Sequence, residues 1–200
     1  MRFITFGDSG YYRCIKQNVS QIKKFYPSAK IYVIDIGFDE GQTLPDVNVI
    51  KLDYIKTTFG WTLSLKPKII QKYMTDNLVF MDGDAILLKP IDELFKTTKD
   101  LIITTRESRH GKVNSGVIIF RKSLDVQEWI DKTIFNLTLN DNDKLSEQRC
   151  FEDYAYKQLY HEVPCHIYNS PEVHSDCKVL HLKCGRHKDD KIWNKVMQLL

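Results

Sequence analysis

Nothing in this chain of 200 residues forms an apolar run approaching the roughly 18 residues that a membrane-crossing helix needs. The opening stretch Met1-Arg2-Phe3-Ile4-Thr5-Phe6 is too short and too β-prone for a signal sequence and reads instead as a strand. Cysteine is scarce and odd in number. Cys14, Cys150, Cys165, Cys177 and Cys184 include no Cys-x-x-Cys pair, so they do not resemble a disulfide framework. They read as reduced thiols, and a cytoplasmic setting is expected. In that setting the two Asn-x-Ser/Thr sequons, at Asn18 and Asn136, are chance matches. Charge of one sign is not in excess: 29 Lys and Arg face 26 Asp and Glu, a net charge of +3. That is too weak for a nucleic-acid surface but suits an anionic small ligand. Repeats, low-complexity tracts and linkers are missing as well.

What the chain does have is enough apolar residue, 42%, to bury one ordinary core, with 28% charged residues to keep it soluble. Apolar, β-prone runs at 2–6, 30–36, 47–52, 78–81, 101–105, 116–121 and 179–182 read as strands. Between them, 11–26, 64–75 and 124–139 carry helical periodicity, as do 147–160 and a closing segment from about Lys191. Pro27 ends the first helix, and Pro67 is expected in the first turn of the second. Residues 139–145 are polar and read as a surface loop. Strands alternating with helices predict a single-domain α/β/α sandwich with a mostly parallel central sheet over residues 1–200. The apolar end, Val196-Met197-Gln198-Leu199-Leu200, is compatible with this being one domain of a longer protein. In such sheets ligands bind beyond the carboxyl ends of the strands.

One stretch carries chemistry: Leu78-Val79-Phe80-Met81-Asp82-Gly83-Asp84-Ala85-Ile86-Leu87-Leu88. An apolar strand delivers two carboxylates at its carboxyl end, one residue apart. Gly83 permits a tight turn and close approach of a ligand. Two carboxylates at that spacing suit a hard cation, Mn²⁺ or Mg²⁺, whose open positions diphosphate oxygens can fill. Asp-Gly-Asp is also an ordinary turn composition. The apolar Leu87-Leu88 and Lys89-Pro90 that follow at once are hard to explain as a hairpin tip.

Residues 80–94, FMDGDAILLKPIDEL, resemble the DxD segment of GT-A glycosyltransferases, most nearly glycosyltransferase family 8, the glycogenin-like and lipopolysaccharide-galactosyltransferase-like group. Asn114-Ser115-Gly116-Val117 resembles that family's segment beside the donor sugar. Glu147-Gln148, or Glu152-Asp153, resembles its acidic-amide pair. Val179-Leu180-His181-Leu182 with Gly185, Lys191 and Trp193 resembles its C-terminal block, although Gly185 lies four residues after His181 and no proline precedes Trp193.

The resemblance implies a Rossmann-like GT-A fold and a metal-dependent enzyme. Such an enzyme moves a hexose from a UDP-sugar donor to a glycan or glycoprotein acceptor, with retention of configuration. It also implies that Asp84 and His181 ligate the metal and that Asp82 joins them or holds the ribose. Around the donor it places Thr5, Phe6 and Gly7 after the first strand, Gly83, and Asn114, Ser115 and Gly116. Tyr11 or Tyr12 is available to stack on uracil, or packs the first helix. Asp35 meets the nucleoside or only makes a turn. Lys66 is preferred to Lys68 as the basic residue of the second helix, against a solvated lysine face. Lys188 and Lys191 both remain open as the pyrophosphate-binding lysine. Glu147, Gln148, Glu152 and Asp153 are the groups available to stabilise an oxocarbenium-like state, or they are the polar start of a helix.

Two other readings compete with this one. Phosphohydrolases of the haloacid dehalogenase type also carry Asp-x-Asp after a strand, but want Thr or Val where this chain has Ile86, and usually carry the motif near the N-terminus. A zinc-stabilised binding module would draw on Cys177, His181, Cys184 and His187, with Cys165, His166 and His174 upstream. The spacing matches no common finger.

Overall fold

The computed structural model describes residues 1–52, 59–74, 77–106, 112–139, 151, 160–183, 188–198 and 200. Among the described residues seven strands build the central sheet: β1 (Arg2–Gly7), β2 (Lys30–Asp35), β3 (Asn48–Lys51), β4 (Leu78–Met81), β6 (Leu101–Thr105), β7 (Val113–Phe120) and β8 (Tyr160–Pro164). Their spatial order is β3-β2-β1-β4-β7-β6-β8. β7 alone runs against the rest, antiparallel to both β4 and β6. The other adjacent pairs are parallel, so the mostly parallel sheet expected from the sequence is present. A separate two-stranded ladder joins β5 (Ala85–Leu87) to β9 (Val179–His181).

Each inner strand sends alternate side chains to opposite faces. Phe3, Val79, Met81, Ile102, Val117 and Ile119 enter one core, beneath α1 (Tyr12–Phe25). Ile4, Leu78, Phe80, Leu101, Ile103, Ile118 and Phe120 enter the other, beneath α2 (Phe59–Tyr73) and α3 (Leu124–Leu139). Covering both faces is why these strands read as continuous apolar runs rather than as alternation. A third, smaller core collects Cys14, Ile86, Cys177, Leu180, Leu182 and Val196, and fastens α5 (Asp190–Met197) and the β5–β9 ladder to α1.

α1 follows a 3₁₀ turn at Ser9–Tyr11, whose cap is Asp8 accepting from the Gly10 amide at 3.0 Å. Pro67 does not open the second helix. α2 starts at Phe59, and the buried Pro67 lies inside it. The ring denies a partner to the carbonyl one turn earlier, yet Leu65, Ile69, Ile70 and Met74 anchor the helix in the core around it.

Two strands and a short helix were not foreseen. β5 is three fully buried residues, too short to register as an element beside β4. β8 is a sheet-edge strand whose Tyr-His-Glu-Val-Pro sequence carries no apolar pattern. Tyr160 therefore belongs to a strand, not to the helix expected over 147–160. Of that helix Phe151 is described: it is helical, fully buried and stacked 4.7 Å from Trp129. The remainder lies outside the described residues. The third unforeseen element is α4 (Cys165–Tyr168), which follows β8 directly. No described helix is long and apolar enough to cross a membrane.

Candidate metal and donor site

The order β3-β2-β1-β4 places a topological switch between β1 and β4, and ligand crevices form at such points. β1, β4 and β6 end at the same edge, and antiparallel β7 begins there. That edge therefore gathers Phe6-Gly7, Asp82-Gly83-Asp84, Thr104 and Asn114-Ser115-Gly116 from four strands.

The turn after β4 is held by backbone bonds. The Asp82 amide donates to Gly116 O at 2.8 Å, and the Ala85 amide to Asp82 O at 2.9 Å. A Cβ on Gly83 would stand 2.5 Å from Phe6 O and 3.3 Å from Tyr11, so only glycine lets the two loops approach this closely. β5 then pairs with β9 in a register that sets Ala85 opposite His181. The Leu182 amide donates to Asp84 O at 2.9 Å, locking His181 beside the second aspartate.

The outcome is a compact ligand set. His181 Nε2 lies 2.8 Å from Asp84 Oδ1 and 3.6 Å from Asp82 Oδ2. Ligand atoms of Asp82, Asp84 and His181 all fall within 4.8 Å of one another. Asp84 and His181 are buried, while Asp82 is partly open to solvent. Two carboxylate oxygens and an imidazole nitrogen converging this way suit Mn²⁺ or Mg²⁺, and leave positions for ligands arriving from solvent.

Lys66 completes the first ring of contacts. It is buried, with Nζ 2.8 Å from Asp82 Oδ1 and 3.1 and 3.3 Å from Ser115 Oγ and O. Lys68, its alternative, is exposed. Burial pushes the Asp82 carboxyl above its usual range, and the charge of Asp84 adds to the rise. Lys66 and His181 oppose that shift. Lys183, just past His181, is held below its usual range by burial and by Arg106, with Asp82 and Asp84 acting against that shift.

Gly116 is shaped by the histidine. A Cβ there would stand 2.3 Å from His181 Cε1 and 2.4 Å from Nδ1. Asn114 and Ser115 are fully buried. Tyr11 packs against Gly7 and Gly83, and its phenol is pushed up to about 12 by burial and by the charges of Asp84, Asp8 and Asp82. Tyr12 points elsewhere: its hydroxyl donates to Thr43 O at 2.6 Å and its ring meets Phe38 edge-on at 5.4 Å. The structure thus separates the two tyrosines, with Tyr11 beside the acids.

Asp35 is engaged in a turn, Oδ1 accepting from the amides of Gly37 and Phe38 at 2.8 and 2.7 Å. Thr5 is buried in the core beside Asn18 and Met81. Lys188 reaches the first loop, its Nζ 3.7 Å from where a Gly10 Cβ would stand. Lys191 is exposed on α5, and its amide caps onto Asp189. Glu147, Gln148, Glu152, Asp153 and Gly185 lie outside the described residues.

Among the described residues Cys165 and Cys177 form no metal centre with His181, and Cys184 and His187 lie outside the described residues. Cys177 Sγ donates to Val179 O, and Cys165 Sγ donates to Asn169 O at 3.2 Å. His174 Nε2 is engaged with His166 O at 2.6 Å. Asn169 and Thr104, which stand behind His181, were missed from sequence. Each is a common residue in an ordinary context, and no local pattern marks either.

No protein-family model matches the sequence, and no curated protein matches it. Solved structures do. A glycosyltransferase involved in glycosylation of the major capsid of PBCV-1 superposes with a TM-score of 0.68 at 17% identity, over 95% of this chain and 98% of its own. The galactosyltransferase LgtC, solved with donor and acceptor sugar analogues, superposes with a TM-score of 0.64 at 14% identity, over 100% of this chain and 95% of its own. GlyE of Streptococcus pneumoniae TIGR4, a glycosyltransferase, gives 0.58 at 16% identity, over 82% of this chain and 45% of its own. Identities this low establish the fold: the chain has the GT-A architecture of these glycosyltransferases.

Proposed function

We propose that the chain is a metal-dependent glycosyltransferase that moves a hexose from a UDP-sugar to a glycan or glycoprotein acceptor, with retention at the anomeric carbon. The observation that carries the reading is the convergence of Asp82, Asp84 and His181 at the carboxyl end of β4, in a GT-A fold. The LgtC structure with donor and acceptor sugar analogues supports a two-sugar site on such a fold.

Asp84 and His181 hold Mn²⁺ or Mg²⁺, with Asp82 as third ligand or as partner of the ribose. A cation held there supplies Lewis-acid stabilisation of the departing diphosphate. The protein's own groups do the rest. Tyr11, against Gly7 and Gly83, offers a ring face for the uracil. Gly83, with no side chain, lets the donor backbone come close. Lys66, already paired with Asp82, places a positive charge next to the donor, where it orients a sugar hydroxyl or phosphate oxygen. Lys188, also exposed, lies beside the first loop, and that position favours it over Lys191 as the lysine for the pyrophosphate. Asn114, Ser115 and Gly116 border the donor sugar. Retention follows from the family 8 resemblance, with Glu147, Gln148, Glu152 and Asp153 the residues available at the anomeric carbon.

Calorimetric titration with UDP, with Mn²⁺ and then with EDTA, tests the reading. Micromolar binding that requires Mn²⁺ is expected, and a UDP-sugar panel then identifies the donor. Absence of UDP, GDP and dTDP binding in both conditions would reduce the Asp-Gly-Asp to a turn.

A further inference from the structure

Behind His181, on the side away from the acids, lies a chain of four hydrogen bonds whose directions can be assigned one by one. It starts at a carbonyl. Asn114 O can only accept, and Thr104 Oγ1 lies 2.5 Å from it, so the single hydroxyl proton of Thr104 is spent there. Thr104 Oγ1 must then accept from its other neighbour, the Asn169 side chain 2.8 Å away. The Asn169 atom facing it is therefore the amide nitrogen, which also donates to Asn114 O at 3.3 Å. The flipped amide would bring Asn169 Oδ1 against the Asn114 carbonyl, acceptor against acceptor. With the amide fixed, Asn169 Oδ1 faces His181 Nδ1 at 2.6 Å, and an oxygen there requires a proton on Nδ1.

We infer that Asn169, oriented by Thr104, is a positioning residue that fixes a proton of His181 on Nδ1, so that Nε2 is the ring nitrogen left for a cation shared with Asp82 and Asp84. The inference rests on the metal-site reading above and deepens it. An imidazole binds a metal through an unprotonated nitrogen, and the hydrogen bond on the other ring nitrogen decides which one is free. The backbone supports the same arrangement. The Ser170 amide donates to Val179 O and the His181 amide to Ser170 O, at 2.9 and 2.7 Å, so the segment carrying Asn169 is laced to β9. The Asn169 amide bonds Cys165 O at 2.9 Å, which closes α4. Asn169, Thr104 and Asn114 are all at most 1% exposed, so water does not substitute for them. Gly116 bounds the ring at the Nδ1 and Cε1 edge beside Asn169 Oδ1, with no room for even a methyl group.

The test is Mn²⁺ affinity of the whole chain without nucleotide, measured by calorimetry. Asn169→Ala is expected to weaken Mn²⁺ roughly 10–100-fold, the usual effect of losing a partner behind a metal-binding histidine. Thr104→Val, nearly isosteric but unable to accept from Asn169, weakens it by a smaller factor, and Thr104→Ser restores wild-type affinity. A role confined to packing would make the valine variant the better tolerated of the two, so that ranking overturns the inference, as does unchanged affinity in Asn169→Ala. If Asn169→Ala does not fold, the Thr104 pair decides alone. A second readout separates this inference from the metal reading: NMR of the metal-free protein should detect a slowly exchanging proton on His181 Nδ1, lost in Thr104→Val. If wild-type protein fails to bind Mn²⁺ the metal reading falls, and the Nδ1 signal then judges the positioning role by itself. Its absence from the wild type would overturn it.

Discussion

The two halves of the sheet are built on different logic. On one side β3, β2, β1 and β4 run parallel, joined by helical crossovers or loops, with the apolar runs of β1 and β4 buried on both faces and β3 an exposed edge. On the other, β7 reverses direction, β8 lies at the edge with polar residues, and β9 leaves the sheet to pair with β5. The parallel half contributes a turn, Asp82-Gly83-Asp84, whose chemistry is contained in three consecutive residues. The mixed half contributes His181 together with Thr104, Asn114, Gly116 and Asn169, which meet only through tertiary pairing. The two carboxylates sit on the regular framework, whereas the imidazole beside them depends on the irregular one.

That contrast can be broken from either side. The largest effect is expected from Asp84→Asn, which should remove Mn²⁺-dependent UDP binding while leaving the melting temperature near wild type; binding that survives would show that the turn is not a ligand. Gly116→Ala attacks the mixed half instead. Its methyl cannot coexist with the His181 ring as placed, so Mn²⁺ affinity should fall by at least about 10-fold, as if the histidine had been displaced. Retained affinity together with an unmoved ring in a crystal structure would contradict the packing described.

Lys66→Met tests the join between the halves, because Lys66 belongs to α2 yet bonds both Asp82 and Ser115. Leaving a largely buried carboxylate without its cation should cost about 1–3 kcal/mol in metal-free protein, and Mn²⁺ should recover part of it, visible as a larger metal-induced rise in melting temperature than in wild type. Lys66 holds down an Asp82 carboxyl that burial has raised. Its removal should therefore move the pH dependence of Mn²⁺ binding upward, since the proton competes with the metal to higher pH. The smallest effect is expected from Lys188→Ala. UDP affinity should drop about 5–10-fold, the size of one charge-assisted phosphate contact, with Mn²⁺ affinity unchanged. Equal loss from Lys191→Ala would remove the preference for Lys188.

Legibility in the sequence follows the same division. β1, β2, β4 and α1 were readable because their burial is local and periodic, and the Asp-x-Asp turn because its spacing is itself the chemistry. β8 was not readable, since an edge strand faces solvent and needs no apolar pattern. β5 was hidden by its length. The helical start at Phe59 was masked by Pro67, which tertiary packing of Leu65, Ile69 and Ile70 overrides. Tyr11 and Tyr12 were indistinguishable in sequence because adjacent helix positions differ only by rotation, and that rotation is what sends one to the acids and the other to Thr43. Asn169 had no signature at all. Its role is defined by Thr104 and His181, 65 and 12 residues away.

The central claim is that Asp82, Asp84 and His181 hold one divalent cation at the end of β4. Anomalous diffraction from crystals grown with Mn²⁺ and UDP measures this directly. The account predicts a single strong peak within about 2.0–2.4 Å of Asp84 and His181 Nε2, with the diphosphate completing the shell. A peak elsewhere, or UDP bound at this edge with no peak beside those residues, would contradict it.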